Sequence, residues 1–187
     1  MQRRMGEAVA RVARRVNETV ESQGDTLDLA DCKLVAFPAG IYKAVRSVTQ
    51  GIHRISLANN ELKALGARFA TTFSQLRELN LEGNLLHRLP HELGSLLHLR
   101  TINLARNKFR HFPEPLAAAP ALESINLEGN EITEVPTEAL ATMSSLRSLN
   151  LRANPVCPAV RLLVQPLVPF ELLLSPEAAG TMCPVPD

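Results

Sequence analysis

The chain has little of several residue types that mark particular protein classes. Its 187 residues include no tryptophan, one tyrosine and only 4% aromatic residues, so branched aliphatic side chains must fill most of the interior. The formal net charge is +1, which gives no electrostatic case for a nucleic acid as the main partner. No apolar run approaches the roughly 20 residues that a membrane-spanning helix needs. The length is that of one domain.

Cysteine is also scarce. The chain has three, Cys32, Cys157 and Cys183, and an odd number cannot pair completely. No apolar signal-peptide segment precedes them. We therefore expect a reducing compartment, the cytoplasm, with the nucleus as the alternative. The sequon at Asn17 would then carry no sugar.

A pattern of apolar residues returns at a fixed period. The segment from Leu76 to Asn84 reads L-x-x-L-x-L-x-x-N, and five other segments repeat it, the first in degenerate form. Its last column is spaced by 28, 24, 23, 23 and 24 residues and consists of Cys32, Asn60, Asn84, Asn107, Asn130 and Asn154. Such self-similarity is typical of a solenoid, in which each unit buries its apolar side against its neighbours.

The pattern resembles that of the intracellular leucine-rich-repeat family. In the x-L-x-L-x portion, side chains alternate, which predicts a short strand with leucines inward and the other residues outward. The predicted fold is an α/β leucine-rich-repeat solenoid. Its curved parallel β-sheet forms the concave face, and short helical, 3-10 or extended turns form the convex face. A capping helix precedes the repeats and a C-terminal lid follows them.

Segments outside the repeats carry the resemblance further. MGEAVARVARRVNETVES near the front and PFELLLSPE near the end resemble segments of small vertebrate members of the family. The resemblance implies a compact intracellular protein with no established catalytic activity. It says almost nothing about partners.

Two sets of polar residues belong to the strands. The strand-ending asparagines are expected to form a ladder of hydrogen bonds to turn backbone, because an unsatisfied buried group costs about 1–3 kcal/mol; they are Asn60, Asn84, Asn107, Asn130 and Asn154. The second set points outward and is the candidate partner-binding surface: Arg54, Ser56, Glu78, Asn80, Glu82, Thr101, Asn103, Ser124, Asn126, Glu128, Asn150 and Arg152.

Four asparagines of this outward set lie in one column of the predicted sheet. Adjacent strands are about 4.8 Å apart, so Asn80, Asn103, Asn126 and Asn150 would make an amide row about 14 Å long. Such a row can donate and accept hydrogen bonds at each step. The alternative is a plain polar strand face. No aromatic residue offers the usual anchor for a protein partner, which argues for a weak partner or a different contact surface.

A second candidate surface lies where the strands of repeats 3 and 4 give way to their turns. Basic residues cluster there beside Leu85, with acidic residues in the next repeat: His87, Arg88, Arg106, Lys108, Arg110 and His111, against Glu128, Glu131 and Glu134. The cluster suits an acidic peptide or a phosphate-bearing partner. The alternative is a solvated edge with ion pairs that contribute little.

The two ends of the solenoid need covers. Residues 1–24 predict an amphipathic helix whose apolar face carries Met5, Val9, Val12, Val16 and Val20, with arginines around the remainder. A targeting or membrane-surface helix is the alternative, although Glu7, Glu18 and Glu21 count against it. Residues 25–155 are the repeat domain of about six repeats. Residues 156–175 predict a cap with a short helix and an irregular lid, and residues 176–187 a disordered tail.

No constellation indicates catalysis. His87 and His91 have a zinc-like spacing only on a helix, and Pro90 places a turn between them. No glycine-rich phosphate loop, paired-carboxylate motif or cofactor site stands out. We therefore predict a non-enzymatic protein-interaction module that uses its concave face. It would act as a monomer without cofactor, nucleic acid or membrane. The alternatives are a regulatory or targeting subunit of an enzyme such as a phosphatase, and a membrane-peripheral protein led by the Arg-rich helix.

Overall fold

The computed structural model describes residues 2–157 and 168–175. A parallel sheet of seven three-residue strands passes through these segments, and each strand pairs in register with the next one along the chain. The strands are β1 Thr26–Asp28, β2 Arg54–Ser56, β3 Glu78–Asn80, β4 Thr101–Asn103, β5 Ser124–Asn126, β6 Ser148–Asn150 and β7 Glu171–Leu173. The repeat period thus becomes the order of the sheet, as predicted.

Helical segments precede the sheet and connect its strands. The α-helices are α1 Gln2–Ser22, α2 Ala39–Ala44, α3 Ala67–Thr72 and α4 Thr137–Ala141, and the 3-10 helices are Thr49–Gly51, His91–Ser95 and Glu114–Ala118. Their inner sides meet the sheet leucines in one core, where Leu93, Leu96 and Leu99 are fully buried. Because each connection is short, consecutive strands remain neighbours. The predicted leucine-rich-repeat solenoid with an N-terminal helix is confirmed.

Helix α1 covers the outer edge of β1. Thr19 Oγ1 donates a hydrogen bond to Thr26 O at 2.8 Å, and Arg15 Nη1 donates to Ala30 O at 2.7 Å. Arg11 Nη1 donates to the Asp31 carbonyl. These side chains donate to backbone carbonyls at the edge of the sheet, which in the middle of the sheet would accept hydrogen bonds from a neighbouring strand. The helix therefore caps the solenoid with hydrogen bonds as well as with apolar contacts.

The helix face that packs on the core differs from the predicted face. Val16 is buried, and Val12 and Val20 pack against the core, but Val9 is 68% exposed. Ala8 is buried in its place. The docked face is therefore rotated towards Ala8, on the side from which Arg11 and Arg15 reach the carbonyls beside β1. The prediction that all the arginines surround a free polar face was wrong for Arg11 and Arg15, which are half-buried.

The C-terminal segment adds a strand where an irregular lid was predicted. Phe170, Leu172 and Leu174 are buried and alternate with outward residues, and β7 lies parallel to β6 with Leu172 beside Leu149. The alternation is a strand signal that the prolines before it obscured. The sheet therefore continues one strand beyond the six predicted repeats. The short helix predicted after residue 158 and the tail at 176–187 lie outside the described residues.

Candidate functional site

The outward residues of the strands form in-register columns, which we call the sheet face. One column starts with Thr26 and contains Arg54, Glu78, Thr101, Ser124, Ser148 and Glu171; the other starts with Asp28 and contains Ser56, Asn80, Asn103, Asn126, Asn150 and Leu173. The four asparagines of the second column are adjacent and half-buried. The remaining predicted partner-binding residues follow the strands two positions later, with Arg152 exposed and Glu82 and Glu128 half-buried.

Each amide oxygen of the asparagine row already has a backbone partner. Asn80 Oδ1 accepts a hydrogen bond from the Glu82 N–H at 3.0 Å, and the other three make the same bond to the residue two positions on, also at 3.0 Å: Ala105 to Asn103, Glu128 to Asn126 and Arg152 to Asn150. This contact resembles an Asx turn and fixes the orientation of the amide. The sequence-based view of the row as both donor and acceptor is therefore incomplete.

The amide nitrogens of the row are available instead. Among residues 2–157 and 168–175, no protein acceptor receives a hydrogen bond from Nδ2 of Asn80, Asn103, Asn126 or Asn150. Each NH₂ group has two N–H donors. The hydrogen bond from the turn backbone fixes the oxygen of the same amide and so orients its NH₂ group. The row therefore presents ordered donors with a strand-to-strand spacing of about 4.8 Å.

Three ion pairs lie near the row, whereas Glu128 and Arg152 make none with the described residues. Arg54 Nε lies 3.2 Å from Glu78 Oε2, and Arg106 Nη2 lies 3.4 Å from Glu82 Oε1. At the N-terminal end, Arg15 Nη1 lies 3.7 Å from an Asp28 oxygen. Such exposed pairs contribute about 0–1 kcal/mol each, but they reduce the net charge offered to a partner.

The strand-ending asparagines form a second, buried row that joins successive repeats. Asn107 is representative: its Oδ1 accepts from Leu86 N at 3.0 Å, and its Nδ2 donates to Leu81 O at 2.9 Å and Leu104 O at 3.1 Å. Leu81 and Leu86 belong to the preceding repeat, whereas Leu104 belongs to the same repeat. The corresponding bonds are made by Asn60, Asn84, Asn130 and Asn154. These residues hold the turns in place and leave no polar group for a partner.

Cys32 occupies the asparagine position in the first repeat. Its Sγ donates weakly to Ala30 O at 3.3 Å, and Arg15 supplies a stronger donor to the same carbonyl. In later repeats the ladder amide reaches the equivalent carbonyl, as Asn107 Nδ2 does to Ala105 O. Burial raises the pKa of the Cys32 thiol above its ordinary value, and the charges of Arg15 and Arg11 oppose this in part. An arginine from α1 therefore replaces the missing amide.

The second predicted surface forms a concavity of about 590 Å³. It is lined by Lys63, Leu85, His87, Lys108, Arg110, His111 and Glu131, and we call it the basic edge. Leu85 is 37% exposed, and Arg110 Nε lies 3.7 Å from Glu131 Oε2. Of the other residues predicted for this cluster, Arg88 and Glu134 do not line the concavity, and Arg106 turns towards Glu82.

A third concavity, an apolar groove of about 540 Å³, lies between α1 and the chain from Cys32 to Ala44. Among the described residues, the two most exposed large apolar side chains, Val9 and Val35, both line it. Lys33 is the one charged residue that the described part of the chain contributes to its wall. The sequence did not indicate this groove, because the helical pattern placed Val9 on the buried face.

Comparison with known proteins identifies the repeats. The family model of the leucine rich repeat matches residues 50–109 and 112–156. The chain belongs to the leucine-rich-repeat family. Two proteins named leucine-rich repeat-containing protein 20 are similar to it over the full length of both chains, with 67% identity over 186 residues for that of Mus musculus and 64% for that of Homo sapiens.

Solved leucine-rich-repeat structures share the fold. A leucine-rich-repeat protein of Leptospira interrogans is 28% identical with a TM-score of 0.63, over 75% of this chain and 34% of that one. An internalin from Listeria monocytogenes is 21% identical with a TM-score of 0.60, over 80% of this chain and 40% of that one. The chain therefore spans less than half the length of either structure. These likenesses concern the repeat architecture.

The described residues offer neither a metal site nor a membrane-spanning helix. Within residues 2–157 and 168–175, no group of His, Cys, Asp and Glu side chains has an arrangement that could hold a metal ion, and no helix is long and apolar enough to cross a membrane. Cys32 is a free thiol, whereas Cys157 is disulfide-bonded.

Proposed function

We propose that this leucine-rich-repeat chain is a non-enzymatic protein-interaction module that binds a protein partner through its sheet face. The observation that carries the proposal is the row of four amides whose oxygens are fixed by turn backbone and whose nitrogens have no acceptor in the described part of the chain. Repeat proteins of this type use extended surfaces for binding. A preformed row loses little side-chain entropy when a partner docks.

The chemistry of the row defines the group that it would recognise. Four NH₂ groups in a line offer donors to oxygen acceptors, such as the backbone carbonyls of an extended segment or its carboxylates. Thr101 and Ser124 in the adjacent column add hydroxyls that can donate as well. The face contains no aromatic anchor, so we expect an affinity that depends on several moderate hydrogen bonds rather than on one buried side chain.

The alternatives predicted from the sequence make different demands. A membrane-peripheral role would need the arginines of α1, and Arg11 and Arg15 already donate to the β1 edge. A regulatory subunit of an enzyme would use the same sheet face, and the partner's identity distinguishes that role from a scaffold.

We place the protein in the cytoplasm. Alkylation trapping of Cys157 in intact cells tests this, because a disulfide that persists there would place the chain in an oxidising compartment.

Proximity labelling in cells tests the sheet face. The test variant combines Asn80→Asp, Asn103→Asp and Asn126→Asp, because aspartate keeps the Oδ1 acceptor for the turn N–H and removes the two donors. An arginine at these positions would break the turn bonds and confuse misfolding with loss of binding. We expect specific neighbours of the wild-type chain to disappear in the variant.

The control variant carries the same added charge on the side of the helical turns. It combines Ala67→Asp, Ala141→Asp and Ser144→Asp, all at exposed positions. Both variants should match the wild type in circular dichroism and urea midpoint, because surface changes are usually within about 0.5 kcal/mol. Neighbour sets that are the same for wild type and both variants would rule out the sheet face as the binding surface.

A further inference from the structure

We propose that the basic edge is a second binding site, which takes a short acidic peptide segment containing an apolar residue from a protein partner. The site is a concavity of about 590 Å³, a size typical of ligand pockets. It is separate from the sheet face. Its residues come after the ladder asparagines in each repeat, whereas the residues of the sheet face come before them. The proposal does not depend on the function proposed for the sheet face.

Four consecutive repeats build the site. Lys63, His87 and Arg110 each lie three residues after a ladder asparagine, and the regular stacking of repeats brings them into one line. Leu85 and Lys108 occupy the position directly after the ladder asparagines of their own repeats. Their backbones are tied across repeats, with Leu85 N donating to Leu62 O and Lys108 N donating to Leu86 O. The spacing of the cationic groups is therefore set by the solenoid.

The charge of the basic edge is compensated only in part by the described residues. Among the described residues, Lys63 and Lys108 have no carboxylate within ion-pair distance, and Arg110 shares Glu131 at 3.7 Å in an exposed pair. Arg54 and Arg106 beside the sheet face, by contrast, are paired with Glu78 and Glu82. The concavity therefore attracts carboxylates, and electrostatic complementarity of this kind sets orientation and association rate.

The wall of the concavity selects an acidic peptide over a phosphate chain. It is more apolar than polar, because Leu85 and the aliphatic stems of the lysines contribute much of it. A side chain such as leucine can cover Leu85 while neighbouring carboxylates reach Lys63 and Lys108. The cluster spans only about three strand spacings, or about 14 Å, and the chain's net charge is +1. Both features disfavour a long polyanion such as RNA.

Fluorescence anisotropy with a designed probe tests the site. The probe is a fluorescein-labelled peptide that alternates Glu with Leu, and a second peptide has every Glu replaced by Gln. We expect the full chain to bind the Glu peptide at least about tenfold more tightly than the Gln peptide. The Lys63→Glu, Lys108→Glu double variant should weaken binding of the Glu peptide at least about tenfold, which corresponds to about 1.4 kcal/mol. Added salt should weaken wild-type binding.

A matched control reverses two exposed lysine and arginine charges elsewhere. Lys43→Glu with Arg46→Glu gives the same net charge and lies outside the concavity, so binding should change less than twofold. If the Glu double variant fails to fold, Lys63→Gln with Lys108→Gln replaces it and should still weaken binding. Equal losses in test and control variants would overturn the proposal, as would no binding of the Glu peptide. Displacement of that peptide by single-stranded RNA at lower concentration than by unlabelled peptide would also overturn it.

Discussion

Replacement of Asn107 by alanine probes the ladder that joins the repeats. The side chain is 3% exposed. Two of its three shortest hydrogen bonds, of 2.9–3.1 Å, reach repeat 3 at Leu86 N and Leu81 O, and the third reaches Leu104 O in its own repeat. In Asn107→Ala the two carbonyls retain another donor, because Asn84 Nδ2 reaches Leu81 O and Asn130 Nδ2 reaches Leu104 O. The Leu86 N–H retains none among the described residues.

The magnitude follows from these partners. A buried N–H left without an acceptor costs about 1–3 kcal/mol, and each of the two lost bonds to carbonyls is worth about 0.5–1.5 kcal/mol. We therefore expect Asn107→Ala to lower the free energy of unfolding by about 4 kcal/mol. That is a large part of the roughly 5–15 kcal/mol by which domains are stable.

Urea denaturation followed by far-UV circular dichroism measures this loss. The transition midpoint should fall while the m-value stays constant, because the surface exposed on unfolding hardly changes. Asn17→Ala is the control: Asn17 is exposed on α1, and its loss should change the free energy by about 0.5 kcal/mol or less. A loss below about 1 kcal/mol for Asn107→Ala would refute the reasoning and mean that water replaces the amide.

Three further changes test other parts of the fold, two by urea denaturation and the third by hydrogen exchange. Ala153→Gly should stabilise the chain by about 1 kcal/mol, because Ala153 has a φ of 55° that suits glycine; a lower urea midpoint would contradict this. Gly83→Ala should destabilise by at least about 1–2 kcal/mol, because φ is +72° and the new Cβ would lie 2.5 Å from Asn59 Oδ1. Gly66→Ala, with open space around it, is its control and should be nearly neutral. Arg15→Met should keep the apolar stem and lose the donor to the β1 edge, so hydrogen exchange of β1 should quicken while that of β4 stays unchanged; equal rates would show that α1 caps by apolar contact alone.

A single backbone feature accompanies the ladder in each of the six repeats. The residue before each ladder position has a positive φ of 53–73°: Asp31, Asn59, Gly83, Arg106, Gly129 and Ala153. Only two of the six are glycine. The turn after each strand thus requires a left-handed backbone conformation, whichever residue type the sequence supplies there. The hydrogen bonds of the ladder compensate for the energetic cost of that conformation in residues other than glycine. This is why glycine content alone did not reveal the turn.

The candidate surfaces differed in how well the sequence located them. Strand alternation is a local property, so it fixed which residues of the sheet face point outward. The amide oxygens of that face are bound to backbone two residues away, and no residue spacing indicates this because asparagine is compatible with both arrangements. The groove beside Val9 was also missed, since helical periodicity gives the width of an apolar face but not the rotation at which the helix docks.

The sequence by itself determined the repeat, the order and register of the strands from β1 to β6, and the ladder positions. Repeat steps of 23–28 residues with short connections place each strand beside the strands before and after it in the chain, and alternation gives each side chain one direction. Only the tertiary structure decided what replaces a repeat at the two ends. Arg15 takes the place of an amide beside Cys32, and β7 extends the sheet beyond β6. The Arg15 contact and the pairing of β7 both join segments that the repeat pattern does not include. These contacts contribute to stability only once the folded chain brings the segments together.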